Sequence, residues 1–220
     1  MTSRVLGIDL ASRGRPLGYA VLDFGARIIA VGRDALDDDA LLRLATHHRA
    51  CRVAIDAPLF LPEGLCCLDD ACPCAPLQAS GLRAAEVALR ALGMGGFATT
   101  KRTIIPRLAE RGIGLRRSFE AAGFDTAEVY PHGAKVRLFG ERRPPKKGRP
   151  AGDEWLRQRI ARIVRALPDR LLHHDEADAI LAAYTGLLIE RGEAEPLGES
   201  RDGLVWLPAG PRLAVASRTA

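Results

Sequence analysis

The chain has 220 residues, a formal net charge of +5, 47% hydrophobic residues and 27% charged ones. That is the composition of an ordinary water-soluble globular protein, with room for one well-buried domain and hardly for two. No run of about 18 apolar residues occurs, which excludes a helical membrane span. The N-terminus enters an apolar stretch without a charged-then-apolar leader, so a cytoplasmic protein is expected.

The first such stretch, Val5-Leu6-Gly7-Ile8-Asp9-Leu10-Ala11, reads as a strand buried on both faces. An ionisable group there costs several kcal/mol unless it is paired or coordinated, and no basic residue lies within the strand to pair with Asp9. Residues 18–23 and 27–32 read as two more strands around a tight Phe24-Gly25-Ala26 link, giving an antiparallel meander. Residues 37–49 read as a helix with Asp37, Asp38 and Asp39 at its positive end. A fourth strand, 52–56, ends in Asp56 and then Ala57-Pro58; the strand–helix–strand order makes it parallel to a neighbour. Residues 61–77, rich in proline and cysteine, read as a loop.

Helices are expected at 79–92 and 104–122, the second broken at Gly112-Ile113-Gly114, with a fifth strand at 126–130 closed by Pro131. Residues 140–152 read as a basic loop with Arg142, Arg143, Lys146, Lys147 and Arg149. Helices at 153–167 and 174–191 follow, with a short strand at 204–207. The expectation is one α/β domain over 1–195 and a C-terminal extension at 196–220. Its mixed five-stranded sheet, three strands antiparallel and then two parallel, has helices on both faces. This is the element order of the ribonuclease H fold.

Acids recur where these strands end: Asp9, Asp56 and Glu128. Asp175 and Asp178, three apart, project from one face of the last helix. Gathered carboxylates repel one another; a pair of divalent cations about 3.5–4 Å apart removes that cost and clamps the attacking and leaving oxygens of a phosphodiester. Hard oxygen ligands select Mg²⁺ or Mn²⁺, here on Asp9, Asp56, Glu128 and Asp178. Single residues have plainer readings: Asp56 caps a turn, Glu128 pairs with a basic residue, and Asp175 serves the helix dipole. His132 and His174 read equally as proton-transfer or phosphate groups and as packed histidines.

Gly7-Ile8-Asp9-Leu10-Ala11, Ala54-Ile55-Asp56-Ala57-Pro58-Leu59, Glu128-Val129-Tyr130-Pro131-His132 and Asp175-Glu176-Ala177-Asp178-Ala179 occur in the order used by one family. On these motifs the chain, from residue 4 to about 190, resembles the ribonuclease H-like nucleases of domain of unknown function 429. The Asp-x-x-Asp-Ala element is also similar to the closing motif of Holliday-junction resolvases. The resemblance implies that Asp9, a middle-strand acid, Asp175 and Asp178 carry metals. Glu128 lies one strand later than the second acid of most ribonuclease H-like enzymes, so the middle acid is Asp56 or Glu128. Arg111 before Gly112 resembles an arginine-glycine pair of the family.

Cys66, Cys67, Cys72 and Cys74 lie within nine residues. Thiolates so grouped suit zinc or an iron–sulfur cluster, and a reducing compartment disfavours disulfides. Their spacing lacks the paired C-x₂-C form, so free or redox-active thiols stay open.

From residue 101 to 170 there are eighteen Lys/Arg against eight Asp/Glu, a local net of +10, so the rest sums to −5. A basic middle beside acids points to a polyanionic ligand; a solvated arginine-rich surface accounts for the charge equally well. Lys101, Arg102, Arg107, Arg111, His132 and Lys135 are the backbone-gripping candidates, with the 140–152 loop. Few aromatics and no recognition motif argue against sequence-specific readout. The leading expectation is a metal-dependent nuclease, a hydrolase acting on DNA or RNA, and a homodimer is compatible with it. The alternatives are an ASKHA-like nucleotide-binding phosphotransferase, with Gly93-Met94-Gly95-Gly96 as a second phosphate loop, and a non-catalytic nucleic-acid-binding protein on the same fold.

Overall fold

The computed structural model describes residues 4–96, 98–140 and 149–210. Strands β1 (Arg4–Asp9), β2 (Leu17–Asp23) and β3 (Ile28–Asp34) form the antiparallel meander. Its second turn is tied by Asp23, whose Oδ1 accepts from the Gly25 and Arg27 amides at 2.9 Å each. Helix α1 (Asp38–His48) is N-capped by Asp37 and returns the chain to β4 (Ala50–Asp56), parallel to β1. Helices α2 (Ala84–Ala91) and α3 (Pro106–Ala121) precede β5 (Asp125–Val129), parallel to β4. Helices α4 (Pro131–Phe139), α5 (Pro150–Ile160) and α6 (His174–Glu190) follow, and a hairpin of β6 (Ala194–Glu199) and β7 (Gly203–Pro208) ends the described chain.

The sheet has seven strands in the order β3-β2-β1-β4-β5-β7-β6, two more than expected. β7 lies parallel to β5 and antiparallel to β6, so the sheet continues to residue 208. The β6 sequence, Ala-Glu-Pro-Leu-Gly-Glu, carries a proline and a glycine, which weaken a strand signal and are tolerated at a sheet edge. Apart from this hairpin, the fold is the α/β ribonuclease H-like arrangement of three antiparallel and then two parallel strands. No helix among the described residues is long and apolar enough to cross a membrane.

Alternation along β1 explains the layers. Leu6 and Ile8 pack with Leu41, Leu115 and Phe119 on the α1/α3 face, whereas Val5 packs with Ala54, Ala182 and Leu187 beneath α6. Helix α6 is apolar nearly all round: every residue from 176 to 188 except Tyr184 is buried, as expected of a helix covered on both sides. It lies so close to the sheet that a Cβ on Gly7 would sit 2.2 Å from the Ala179 carbonyl oxygen.

Three helix boundaries differ from the sequence reading. α2 starts at Ala84 rather than 79, and α3 runs unbroken through Gly112, where a Cβ would meet the Pro58 carbonyl at 2.5 Å. α5 spans Pro150–Ile160 rather than 153–167. Beyond it the chain turns so that Arg165 can donate to Ala26 O at 2.8 Å and accept from Ile28 N at 2.9 Å beside β3. Arg142, Arg143, Lys146 and Lys147 of the expected basic loop lie outside the described residues.

Candidate active site

Parallel β1 and β4 run in register, so Asp9 and Asp56 are direct neighbours at their carboxyl ends, on strands spaced about 4.8 Å apart. β5 adds Glu128 beside Ile55, and α6 brings Asp178 across the same edge. Asp9, Asp56, Glu128 and Asp178 together line a cavity of about 930 Å³, with Tyr130, His132 and Trp155 around it. A crevice beyond the carboxyl ends of parallel strands is where ligands bind in such sheets.

The acids are not equivalent. Glu128 is buried, and its two oxygens accept from the two terminal nitrogens of Arg83, Oε2 at 2.7 Å from Nη1. Oε2 also accepts from the Leu59 amide at 2.8 Å. Arg83 is only 2% exposed and reaches Glu86 as well, whose Oε1 accepts from the Thr99 amide at 2.8 Å. Burial works against the Arg83 charge, but Glu128 and Glu86 outweigh it and raise its pKa above the ordinary arginine value. Of the two readings of Glu128, the basic-residue partner is the one observed.

Asp178 and Lys135, both buried, form an ion pair with Nζ 2.6 Å from Oδ1. Asp175, one turn earlier, lines a smaller cavity of about 300 Å³ with Asp9, Arg15 and Arg33. Its Oδ2 accepts from Arg33 Nε at 2.7 Å, and His174 Nε2 lies 2.9 Å from Oδ1. The two α6 aspartates therefore open into different cavities, and Asp9 lines both.

The expected phosphate-gripping residues divide likewise. Arg111 is buried and donates to Asp38 Oδ1, Ala11 O and Leu36 O at 2.8, 2.6 and 2.8 Å, which ties α3 to the loops after β1 and β3. Lys101 donates from Nζ to the Cys72 carbonyl, away from the carboxylates. Arg102 and Arg107 are exposed and flank Ile105, which lines the large cavity. His132 is exposed at the cavity, its ring 5.7 Å from that of Tyr130.

Sequence reasoning missed Arg83. Its available signals were an arginine at the edge of a helical apolar stripe and Glu86 three residues on, a spacing that pairs on a helix. Gly93, with φ 72, ends α2, whereas Gly95 and Gly96 line the cavity.

The four clustered cysteines converge: one sulfur from each lies within 4.8 Å of every other. The Cys74 thiol is pulled down to about 6, chiefly by a backbone hydrogen bond at Cys66, and Cys66 is pushed up to about 12, chiefly by its side-chain contact with Cys74.

A family model described as "Protein of unknown function (DUF429)" matches residues 95–202. The match includes the Glu128 motif and the Asp175/Asp178 motif; Asp9 and Asp56 precede it. The resemblance read from the motifs thus holds over that segment. None of the curated proteins matches this chain. Among solved structures, Thermus thermophilus RuvC is similar at 16% identity and a TM-score of 0.48, covering 88% of this chain and 99% of its own. T. thermophilus RuvC in complex with Holliday junction substrate is 16% identical with a TM-score of 0.44, covering 89% of this chain and 99% of its own.

Proposed function

We propose that this DUF429-like chain is a metal-dependent phosphodiesterase acting on nucleic acid, with its reaction centre in the cavity above β1, β4 and β5. The observation that carries this reading is the in-register pair Asp9 and Asp56, with Asp178 in the same cavity. These side chains offer only hard oxygen donors, which fit Mg²⁺ or Mn²⁺. Asp9, Asp56 and Asp178 would hold the metal, and with Arg83 on both oxygens of Glu128 the middle acid is Asp56. When bound, a divalent ion there supplies Lewis-acid stabilisation of charge developing on the phosphodiester.

The chain's own residues supply the rest. Lys135, whose Nζ lies 2.6 Å from Asp178 Oδ1, would stand beside the reacting phosphate. His132 at the rim is placed to hydrogen-bond a phosphate oxygen or to exchange a proton with a leaving oxygen. Arg102 and Arg107 attract the flanking backbone without reading bases.

The test is cleavage of single-stranded, duplex, hybrid and branched substrates with Mg²⁺ or Mn²⁺. Cleavage by the wild-type protein, abolished in Asp9→Asn while binding survives, is the expected result. Wild-type protein that cuts none of these substrates would overturn the reading. The phosphotransferase reading draws on the same cavity, where Gly95 and Gly96 lie; a thermal shift with ATP and Mg²⁺, together with ATP hydrolysis, would favour it instead.

A further inference from the structure

The segment between β4 and α2 contains neither helix nor strand over residues 57–83. A structureless connection of that length inside a compact domain is unusual and needs its own source of order. Its neck is closed: Leu77 N donates to Glu63 O at 2.8 Å, and Gly64, at φ 92, lies so near that a Cβ would sit 2.4 Å from the Ala75 carbonyl oxygen. Within the neck, from residue 66 to 74, Leu68 is the only buried apolar side chain. Hydrophobic packing therefore cannot hold the tip, and small units without a core are held by disulfides or by metal.

The sulfurs decide between these. Cys66 Sγ lies 3.9 Å from Cys67 Sγ and 3.6 Å from Cys72 Sγ. A disulfide requires about 2.05 Å. Four sulfurs about 2.3 Å from a central zinc lie about 3.8 Å apart along the edges of their tetrahedron. A polynuclear iron–sulfur cluster places several irons and bridging sulfides between its cysteines, which spreads them beyond the 4.8 Å within which all four sulfurs fall here. Cys66 thus stands about one tetrahedral edge from both Cys67 and Cys72, and all four sulfurs fall within a span that suits a single ion.

We propose that Cys66, Cys67, Cys72 and Cys74 form a mononuclear, tetrahedral, four-thiolate zinc site that staples this loop beside the candidate active site. Soft thiolates in a closed tetrahedron prefer zinc, and four protein ligands leave no position open for a reactant, which makes the role structural. Binding releases the thiol protons, which leaves an anionic centre. Lys101 faces it: its Nζ is bonded to the carbonyl of ligand residue Cys72, a position that offsets the thiolate charge from the outer shell. The loop is anchored to the fold by the ion pair of Glu63 with Arg201, at 3.2 Å, and leads directly from Asp56 to Arg83. Ordering it fixes the approach to the carboxylates without touching them.

The experiment measures metal content by elemental analysis of wild-type protein, of Asp9→Asn and of Cys72→Ser/Cys74→Ser. About one zinc per chain is expected in the first two and none in the third. Replacement by Co²⁺ should add the intense visible absorption of tetrahedral thiolate coordination. Should the cysteine variant fail to fold, titration of wild-type protein with an organomercurial in the presence of a zinc-sensitive dye serves instead. Zinc release in step with thiol modification is then expected. Proteolysis within residues 61–77 should quicken about ten-fold once zinc is removed, as a local opening no longer opposed by ligation. Iron with inorganic sulfide, disulfides seen by non-reducing mass spectrometry, or four reduced thiols that take up no zinc would each overturn the proposal. Zinc retained in Asp9→Asn keeps this outcome separate from that of the cleavage assay.

Discussion

With both Glu128 oxygens on Arg83 and one also on the Leu59 amide, this carboxylate ties β5, the turn after β4 and the start of α2 together. Removing its charge leaves the buried Arg83 guanidinium with Glu86 as its remaining acid, and breaking a buried pair costs about 3–5 kcal/mol. Glu128→Gln should therefore lower unfolding free energy by about that amount in denaturant titrations, while the Mg²⁺ dependence of any residual cleavage stays that of wild type. Asp9→Asn is expected to do the reverse. With Asp9 in the metal-holding role proposed for it, its loss should lower cleavage by about 10²-fold or more, with Tm moving by no more than about 2 °C. The contrast assigns Glu128 to the fold and Asp9 to the chemistry.

Helix α6 carries Asp175 and Asp178 to the sheet because nothing larger than hydrogen separates its backbone from β1. A Cβ at Gly7 would also sit 2.2 Å from the Ala183 amide nitrogen, and neither contact can relax by side-chain rotation. Gly7→Ala is expected to cost about 3 kcal/mol, the upper end of overpacking penalties, measurable as a fall in denaturation midpoint. Cleavage should fall in parallel as Asp178 moves away from Asp9. The same helix is pinned at its start by Glu176, buried and bonded through both oxygens to Arg170 at 2.6 and 2.8 Å. Its carboxylate also accepts from the His173 amide at 2.9 Å. The Arg170 hydrogen bonds, with that amide, hold the Glu176 carboxyl below its usual pKa despite burial. A depressed carboxyl pKa contributes stability above the unfolded-state value, and that stability is lost as pH falls through the folded-state value. The Tm difference between wild type and Glu176→Gln should hence be largest near about pH 7 and shrink below about pH 4.

Over the whole molecule, the basic side chains are divided among different tasks. Arg111 holds loops to α3, Arg83 and Lys135 neutralise buried acids, and Lys101 sits on the thiol loop. Arg102 and Arg107 are exposed and lie in sequence on either side of Ile105, which lines the cavity. Binding to nucleic acid should weaken with salt in proportion to the phosphates neutralised. Arg102→Ala/Arg107→Ala should reduce the slope of log affinity against log salt by about 2, uniformly across sequences, as read by fluorescence anisotropy. A slope unchanged from wild type would remove both from the interface.

How much of this was legible beforehand follows from the range of the interactions involved. Apolar runs of strand length, the acids that end them and the apolar stripe of α6 are local patterns. The five central strands, the positions of Asp9 and Asp56 at strand ends, and the thiol cluster were all readable from the chain itself. So was the resemblance, of whose four motifs the Glu128 and Asp175/Asp178 ones fall in the matched residues 95–202. The β6 strand was not, because its proline and glycine obscure the period and only pairing with β7 makes it a strand. Nor were the partners of the acids. Arg83 meets Glu128 across 45 residues of sequence, and Lys135 meets Asp178 only where α4 and α6 pack together. Coulomb energy and hydrogen bonding depend on distance in space, and a buried pair far apart in sequence leaves no periodic trace. Chain order thus determined where carboxylates gather and thiols cluster; tertiary packing decided which acid is locked to arginine and that all four sulfurs converge within 4.8 Å of one another.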